Sequence, residues 1–172
     1  MNLKQTILVL FVTALTIAGC KKSKSDAPDL ISTTLSFDQL TYAKIAEQDK
    51  DSKFTNANIV ATTAAAGNVL KPGAVILYKT NLGNYGKIKV ISIDANYLLT
   101  IDLITYNSND PNNVVEAAKK NGLAIGIGYY CDLDEGIKTV SSSKGDIFWN
   151  KSDQTDANLT PNTNTVFHLY SN

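Results

Sequence analysis

Residues 73–106, GAVILYKTNLGNYGKIKVISIDANYLLTIDLITY, constrain this chain more than any other stretch, because two turn signals divide three apolar runs there. The first run, 74–80, is almost continuously apolar, the pattern of a strand covered on both faces. Asn81-Leu82-Gly83-Asn84 is a cluster of turn formers, in which Gly83, and Gly86 just beyond, can take positive φ. Lys87-Ile88-Lys89-Val90 then alternates with period two, and the apolar phase flips at Ile91-Ser92-Ile93, as a bulge would make it, or a strand whose ends bury different faces. Asp94-Ala95-Asn96 marks a second turn. Residues 97–106 put Leu99, Ile101 and Leu103 on one face and Thr100 and Asp102 on the other. The pattern predicts a three-stranded antiparallel meander.

The flanking segments extend this into one β-rich domain, residues 35–172. Leu35 and Phe37 alternate like a strand end, and Asp38 is placed to cap a short helix with Tyr42, Ile45 and Ala46 as its apolar stripe. Residues 59–66 are a short apolar run compatible with helix or strand. Asn113 and Glu116 have the spacing of a capping box, Lys119 and Lys120 suit a last helical turn, and Gly122 suits the position after it, so a second short helix is expected. From Leu123 to Leu133 every second residue is apolar (Leu123, Ile125, Ile127, Tyr129, Cys131, Leu133), which predicts one long strand with Gly126, Gly128 and Tyr130 on its other face. Shorter strands are expected at 137–140, 146–149 and 165–170, with residues 151–164 as a polar loop. The expected fold class is mostly β: a single antiparallel β-sandwich or partly open barrel with one or two short helices.

The N-terminus carries a different signal. Lys4 precedes a twelve-residue apolar run, 7–18, too short to span a bilayer and typical of a secretory leader. It ends in Ile17-Ala18-Gly19-Cys20, which resembles the lipobox of bacterial lipoproteins: an aliphatic residue, two small ones, then cysteine. The resemblance implies a signal peptide over residues 1–19, cleavage before Cys20 and acylation, palmitate included, of that residue. Such an anchor would hold the chain at a membrane of the bacterial cell envelope, on the periplasmic or surface side of the outer membrane. Residues 20–34, polar and interrupted by Pro28, then read as a flexible tether.

Charge and cysteine content narrow the chemistry. Removing the leader takes away Lys4, leaving 15 Lys against 16 acidic residues, a net charge near −1, and the chain contains no Arg. Without guanidinium forks or a basic stripe, nucleic acid is not an expected partner. With Cys20 acylated, Cys131 has no partner for an intrachain disulfide, so packing must supply stability.

Two segments carry a further resemblance. VLKPGAVILYKTNLGNYGKIKVISI and GYYCDLDEG followed by GDIFW are similar to segments of a group of secreted bacterial β-rich modules of unknown function. This chain departs from their pattern at Cys131, Glu135 and Phe148. The resemblance implies a module and carries over no site residues.

Few residues offer chemistry. His168, the only histidine, lies on the closing strand with no nucleophile motif elsewhere. Cys131 falls on the core phase, where a thiol is inert. Asp132, Asp134 and Glu135 form the one tight acidic cluster, and Asp146 is placed to join it across a hairpin. The alternate spacing has a faint likeness to a calcium loop but lacks its later ligands, and carboxylates capping amides ahead of Gly136 explain it more simply, so no metal is expected. Nor is any cofactor, since zinc spacing, phosphate loop and dinucleotide fingerprint are all missing. The remaining candidates are aromatic. Tyr85 in a turn, Tyr130 on the glycine-rich face and Trp149 at a strand end are candidate ligand contacts, with Asp132 and Asp134 accepting hydrogen bonds at the end of the groove. Trp149 has the alternative of plugging the core. The expected function is a membrane-anchored binding or accessory lipoprotein without catalysis, its ligand carbohydrate or protein. A small lipid-anchored hydrolase using acidic residues, or a structural envelope component, are the alternatives.

Overall fold

The structure, a computed structural model, describes residues 34–61, 70–110, 112, 118–151 and 156–171. Among the described residues, ten strands form two antiparallel five-stranded sheets in a sandwich-like arrangement. In chain order they are β1 (Ile59–Ala61), β2 (Val75–Lys79), β3 (Tyr85–Ile93), β4 (Leu99–Thr105), β5 (Lys120–Ile125), β6 (Tyr129–Asp132), β7 (Ile137–Thr139), β8 (Ile147–Lys151), β9 (Ala157–Pro161) and β10 (Val166–Ser171). One sheet runs β10-β2-β3-β4-β5 and the other β1-β9-β8-β6-β7. One α-helix, α1 (Tyr42–Lys50), follows a single 3-10 turn at Phe37–Gln39. No helix among the described residues is long and apolar enough to cross a membrane.

The meander is present as β2-β3-β4, and its phase flip is a bulge, the register shifting between Val90 and Ser92. Strand β2 is buried on both faces because two separate apolar layers meet it. Ile76 and Tyr78 point into the core between the sheets with Ile88, Leu99, Leu103, Cys131, Trp149 and Leu159. Val75 and Leu77 point outward and are covered by Leu40 and Ile45 of the N-terminal segment. Trp149 fills the middle of the sandwich and donates from Nε1 to the Tyr97 carbonyl at 2.7 Å.

Gly86 is needed for clearance rather than for positive φ. It lies opposite Tyr78 across the β2–β3 pair, and a Cβ there would stand 2.2 Å from the Tyr78 ring. Gly83 does take positive φ, at 84°, in the turn between those strands.

Several expectations require correction. The alternating run 123–133 is two strands in different sheets, β5 and β6. Alternation reports which face is buried, not which sheet buries it, and Gly128 at φ 85° lets the chain turn from one layer to the other. Gly126 and Gly128 therefore flank that turn and do not share a face with Tyr130. The helix expected near Asn113 falls at 113–117, outside the described residues, while Lys120 begins β5 and Gly122 lies inside it at φ 70°. The cap of α1 is Thr41, whose side chain accepts from the Lys44 amide, and Asp38 sits in the preceding 3-10 turn. Residues 157–161, read as loop, form β9, because Ala157 and Leu159 complete the inner face beside Trp149.

Candidate binding site at the loop end of the sandwich

The acidic cluster lies where a turn of each sheet meets. Strand β6 ends at Asp132, and Oδ1 of that residue accepts from the amides of Asp134 (3.0 Å) and Glu135 (2.9 Å), which closes the turn ahead of Gly136 at φ 65°. This is the turn chemistry expected from the sequence. Asp134 reaches to the other sheet, its Oδ1 accepting from Thr80 Oγ1 (3.0 Å) and Asn84 Nδ2 (2.8 Å) in the β2–β3 turn. Asp146 joins from the start of β8. It is 1 % exposed, with Oδ2 accepting from the Leu133 amide (2.8 Å) and Oδ1 from Thr165 Oγ1 (3.0 Å). Beneath them Thr105 donates to the Leu133 carbonyl. The Tyr78 hydroxyl, 2.6 Å away, is therefore the donor to Thr105.

One oxygen from each of Asp132, Asp134 and Asp146 lies within 4.8 Å of the others. Burial, with the charge of Asp134 adding to it, pushes Asp146 up to about 6, against the pull of the Leu133 amide. Burial also raises Asp134, opposed by its bonds from Asn84 and Thr80. An all-oxygen set of this kind is the donor chemistry of a hard divalent cation, and these three residues are the ones that could hold one. Protein donors already engage each carboxylate, so the cluster is first a clasp between the two turns.

Above the clasp is an open depression of about 280 Å³ lined by Asn81, Leu82, Asp132, Asp134, Glu135, Ser143 and Lys144. Leu82 is 70 % exposed, and Val140, at the head of the same β7–β8 connection that supplies Ser143 and Lys144, is 77 % exposed. Three carboxylates, one amine, an amide and an aliphatic tip thus face solvent together. The arrangement can hydrogen-bond, attract cationic groups and bury a small apolar surface. It is poorly suited to acid–base work, since Asp146, the carboxyl with its affinity nearest neutrality, has no path to a substrate.

The other candidate residues are dispersed. Trp149 has no exposed surface, so it cannot line a groove. Tyr130 does lie on the outer face of its sheet, half-buried, its ring stacked on Phe148 at 4.3 Å with Gly145 packed against its Cβ. Tyr85 is not in a turn. It begins β3, and its hydroxyl donates to Asp49 Oδ2 at 2.6 Å, on the face covered by α1. No continuous face joins Tyr85, Tyr130 and Trp149. Cys131 is buried, its thiol pushed far up by burial. His168 is half-buried on β10 between Phe54 and Tyr170, with burial and then the Lys53 charge lowering its proton affinity. Cys20 lies outside the described residues.

Sequence reasoning missed Thr80, Asn84 and Leu82 as members of this end, though Leu82 and Asn84 belong to a turn it did identify and Thr80 ends the run before it. It also missed Lys87, which is 2 % exposed and donates to two backbone carbonyls, those of Phe37 (2.6 Å) and Leu40 (2.8 Å). No protein-family model, curated protein or solved structure matches this chain.

Proposed function

We propose that this chain is a cell-envelope lipoprotein, acylated at Cys20, whose sandwich domain binds a protein partner at the acidic loop end and performs no catalysis. The observation that carries the reading is the depression beside Leu82, where an exposed aliphatic side chain and three carboxylates stand together. Such a combination favours a peptide segment bearing lysine or arginine next to a small apolar side chain. A sugar would be better served by a free aromatic platform, and no aromatic side chain lines this depression. The IAGC box after the leader supports the anchor. The stacked Tyr130–Phe148 pair on the outer face of the second sheet supports a second reading, a carbohydrate laid on that pair.

Spectral titration of the 15N-labelled protein with a hexapeptide of alternating lysine and leucine tests the first reading. Perturbations should cluster at residues 81–84, 132–135 and 143–144, and Leu82→Ser with Glu135→Lys should weaken binding at least tenfold. No perturbation there would overturn it. Loss of a glycan-array signal in Tyr130→Ala, with Leu82→Ser unaffected, would establish the carbohydrate reading instead. The anchor has its own test: a fatty-acid probe should label the wild type in cells and not Cys20→Ser, and equal labelling of both would remove it.

A further inference from the structure

The N-terminal segment of the domain, residues 34–54, is a strap laid over the outside of the first sheet. It contributes nothing to the core between the sheets. Its own apolar cluster consists of Leu40 and Ile45 on Val75 and Leu77, flanked by Leu35, Phe37, Phe54, Tyr85, Tyr106 and Tyr170, and none of these residues belongs to the inter-sheet core. Sheet β10-β2-β3-β4-β5 separates the two.

Side-chain groups of the sheet fasten the strap along its length, beginning at its N-terminal end. The Tyr170 hydroxyl accepts from the Leu35 amide at 3.0 Å. Lys87 Nζ donates to the carbonyls of Phe37 and Leu40 and lies 4.6 Å over the Phe37 ring, and the Tyr106 hydroxyl donates to the same Leu40 carbonyl at 3.0 Å. Further along, Lys79 Nζ (2.9 Å) and the Tyr85 hydroxyl (2.6 Å) both donate to Asp49. Backbone pairing begins only at Thr55, which exchanges two 2.7 Å bonds with Phe167, and β1 then enters the second sheet.

We infer that this strap is a releasable extension of the membrane tether, held shut by Lys87 and peeled from its N-terminal end until the Thr55–Phe167 pairing stops it. A pull applied at residue 34 loads the fastenings one after another rather than together. Once lifted, a nine-residue helix does not persist alone, so the segment becomes extended chain. About twenty released residues at roughly 3.4 Å each are about 70 Å of extended chain, and the reach gained is that length less the distance the folded strap already spans. The sandwich keeps its own core throughout, so a ligand-binding end would travel without unfolding. The use made of that reach rests on the anchoring at Cys20 proposed above; the release itself does not.

Hydrogen exchange on the full chain in detergent tests the release. In Lys87→Met, amides of residues 36–50 should exchange at least tenfold faster than in the wild type, while those of β2, β3, β4 and β8 stay unchanged. Should Lys87→Met fail to fold, Tyr106→Phe removes one bond from the same clasp and should accelerate the same amides about threefold. Acceleration of strap and sandwich together in either variant, or of neither, would overturn the inference. Optical-tweezer extension of the wild type between residue 20 and the C-terminus adds a second readout. A low-force step of less than about 7 nm should precede rupture of the sandwich, and a single rupture would overturn the strap. Such a step in a protein that carries no fatty acid would leave the strap standing and remove only its use as a tether.

Discussion

Asp146 and Lys87 are both buried ionisable groups held by uncharged hydrogen-bond partners rather than by an ion pair, yet they fasten different things. Asp146 sits inside the sandwich, where the Leu133 amide and the Thr165 hydroxyl take its two oxygens and bind one turn to another. Lys87 sits outside the first sheet, where two carbonyls and two aromatic rings take its ammonium and bind the strap to the sheet. Burial pushes each toward its neutral form, Asp146 upward and Lys87 downward. The difference lies in what surrounds them. Asp146 has like charges beside it, whereas Asp38 favours the charged form of Lys87. The internal clasp is therefore under electrostatic tension at neutral pH, and the external one less so.

The internal joint can be broken without touching a charge. Gly86→Ala puts a Cβ into the Tyr78 ring, which has no exposed surface and carries the bond to Thr105 beneath the clasp. Chemical denaturation should show a loss of about 3 kcal/mol, the upper end of what overpacking a core costs. A loss under about 1 kcal/mol would mean that the sheets tolerate a shift there and that the joint is not rigid.

A pH comparison follows. The carboxyl of Asp146 has a folded value, about 6, above its ordinary 3.8, so between these values the native state holds the proton more tightly than the unfolded chain. Its contribution is fully present below about pH 4 and is lost as pH rises through 6. Urea unfolding at pH 4.5 and 7.5 should therefore differ, in favour of the lower pH, by at most about 2 kcal/mol from this group, taking about 1.4 kcal/mol per unit over the interval from 4.5 to 6. Asp134, also raised by burial, acts in the same direction. Asp49 acts oppositely but below the window, since bonds from Tyr85 and Lys79 outweigh its burial and hold it under 3.8. His168, whose proton affinity burial lowers, acts oppositely inside the window. The comparison is therefore read against Asp146→Asn, and an equal pH response in the two would place Asp146 in a far more polar setting than its burial implies.

Two substitutions at Asp146 separate its charge from its bonds. Asp146→Ala orphans the Leu133 amide and the Thr165 hydroxyl and should cost about 2 kcal/mol at pH 7. Asp146→Asn can accept from one and donate to the other without a buried charge, and should fall within about 1 kcal/mol of the wild type, with a flattened pH response. Equal losses in both would show that the charge itself holds the joint.

The smallest expected effect concerns calcium. Because Thr80, Asn84, Thr165 and three backbone amides already occupy the carboxylates, 5 mM calcium should move the melting temperature by less than about 1 °C. A rise of several degrees, absent in Asp134→Asn, would make the same cluster a cation site and the comparison with Lys87 one between a metal centre and a clasp.

How much of this was legible beforehand depends on the range of the signal. Leu99, Ile101 and Leu103 announced their strand and its buried face because period two is a property of neighbouring residues, and the Val90–Ser92 bulge showed as a break in that period. Asp132 was readable as a turn cap, since its partners lie two and three residues on. The role of Asp134 was not, because its partners are in the β2–β3 turn, about fifty residues earlier in the chain. Leu159 looked like a loop residue until Trp149 was seen beside it in the neighbouring strand.

The chain by itself determined a β-rich domain, its meander and the inward phase of Cys131, each strand from a pattern shorter than a dozen residues. Only the tertiary structure decided that residues 123–133 are shared between two sheets, that Trp149 and Tyr130 face opposite ways, and that Lys87, on a strand of alternating lysines, is buried while Lys89 is not. The physical reason is that periodicity records whether a side chain is covered, whereas the identity of what covers it is set by contacts between segments far apart in the chain.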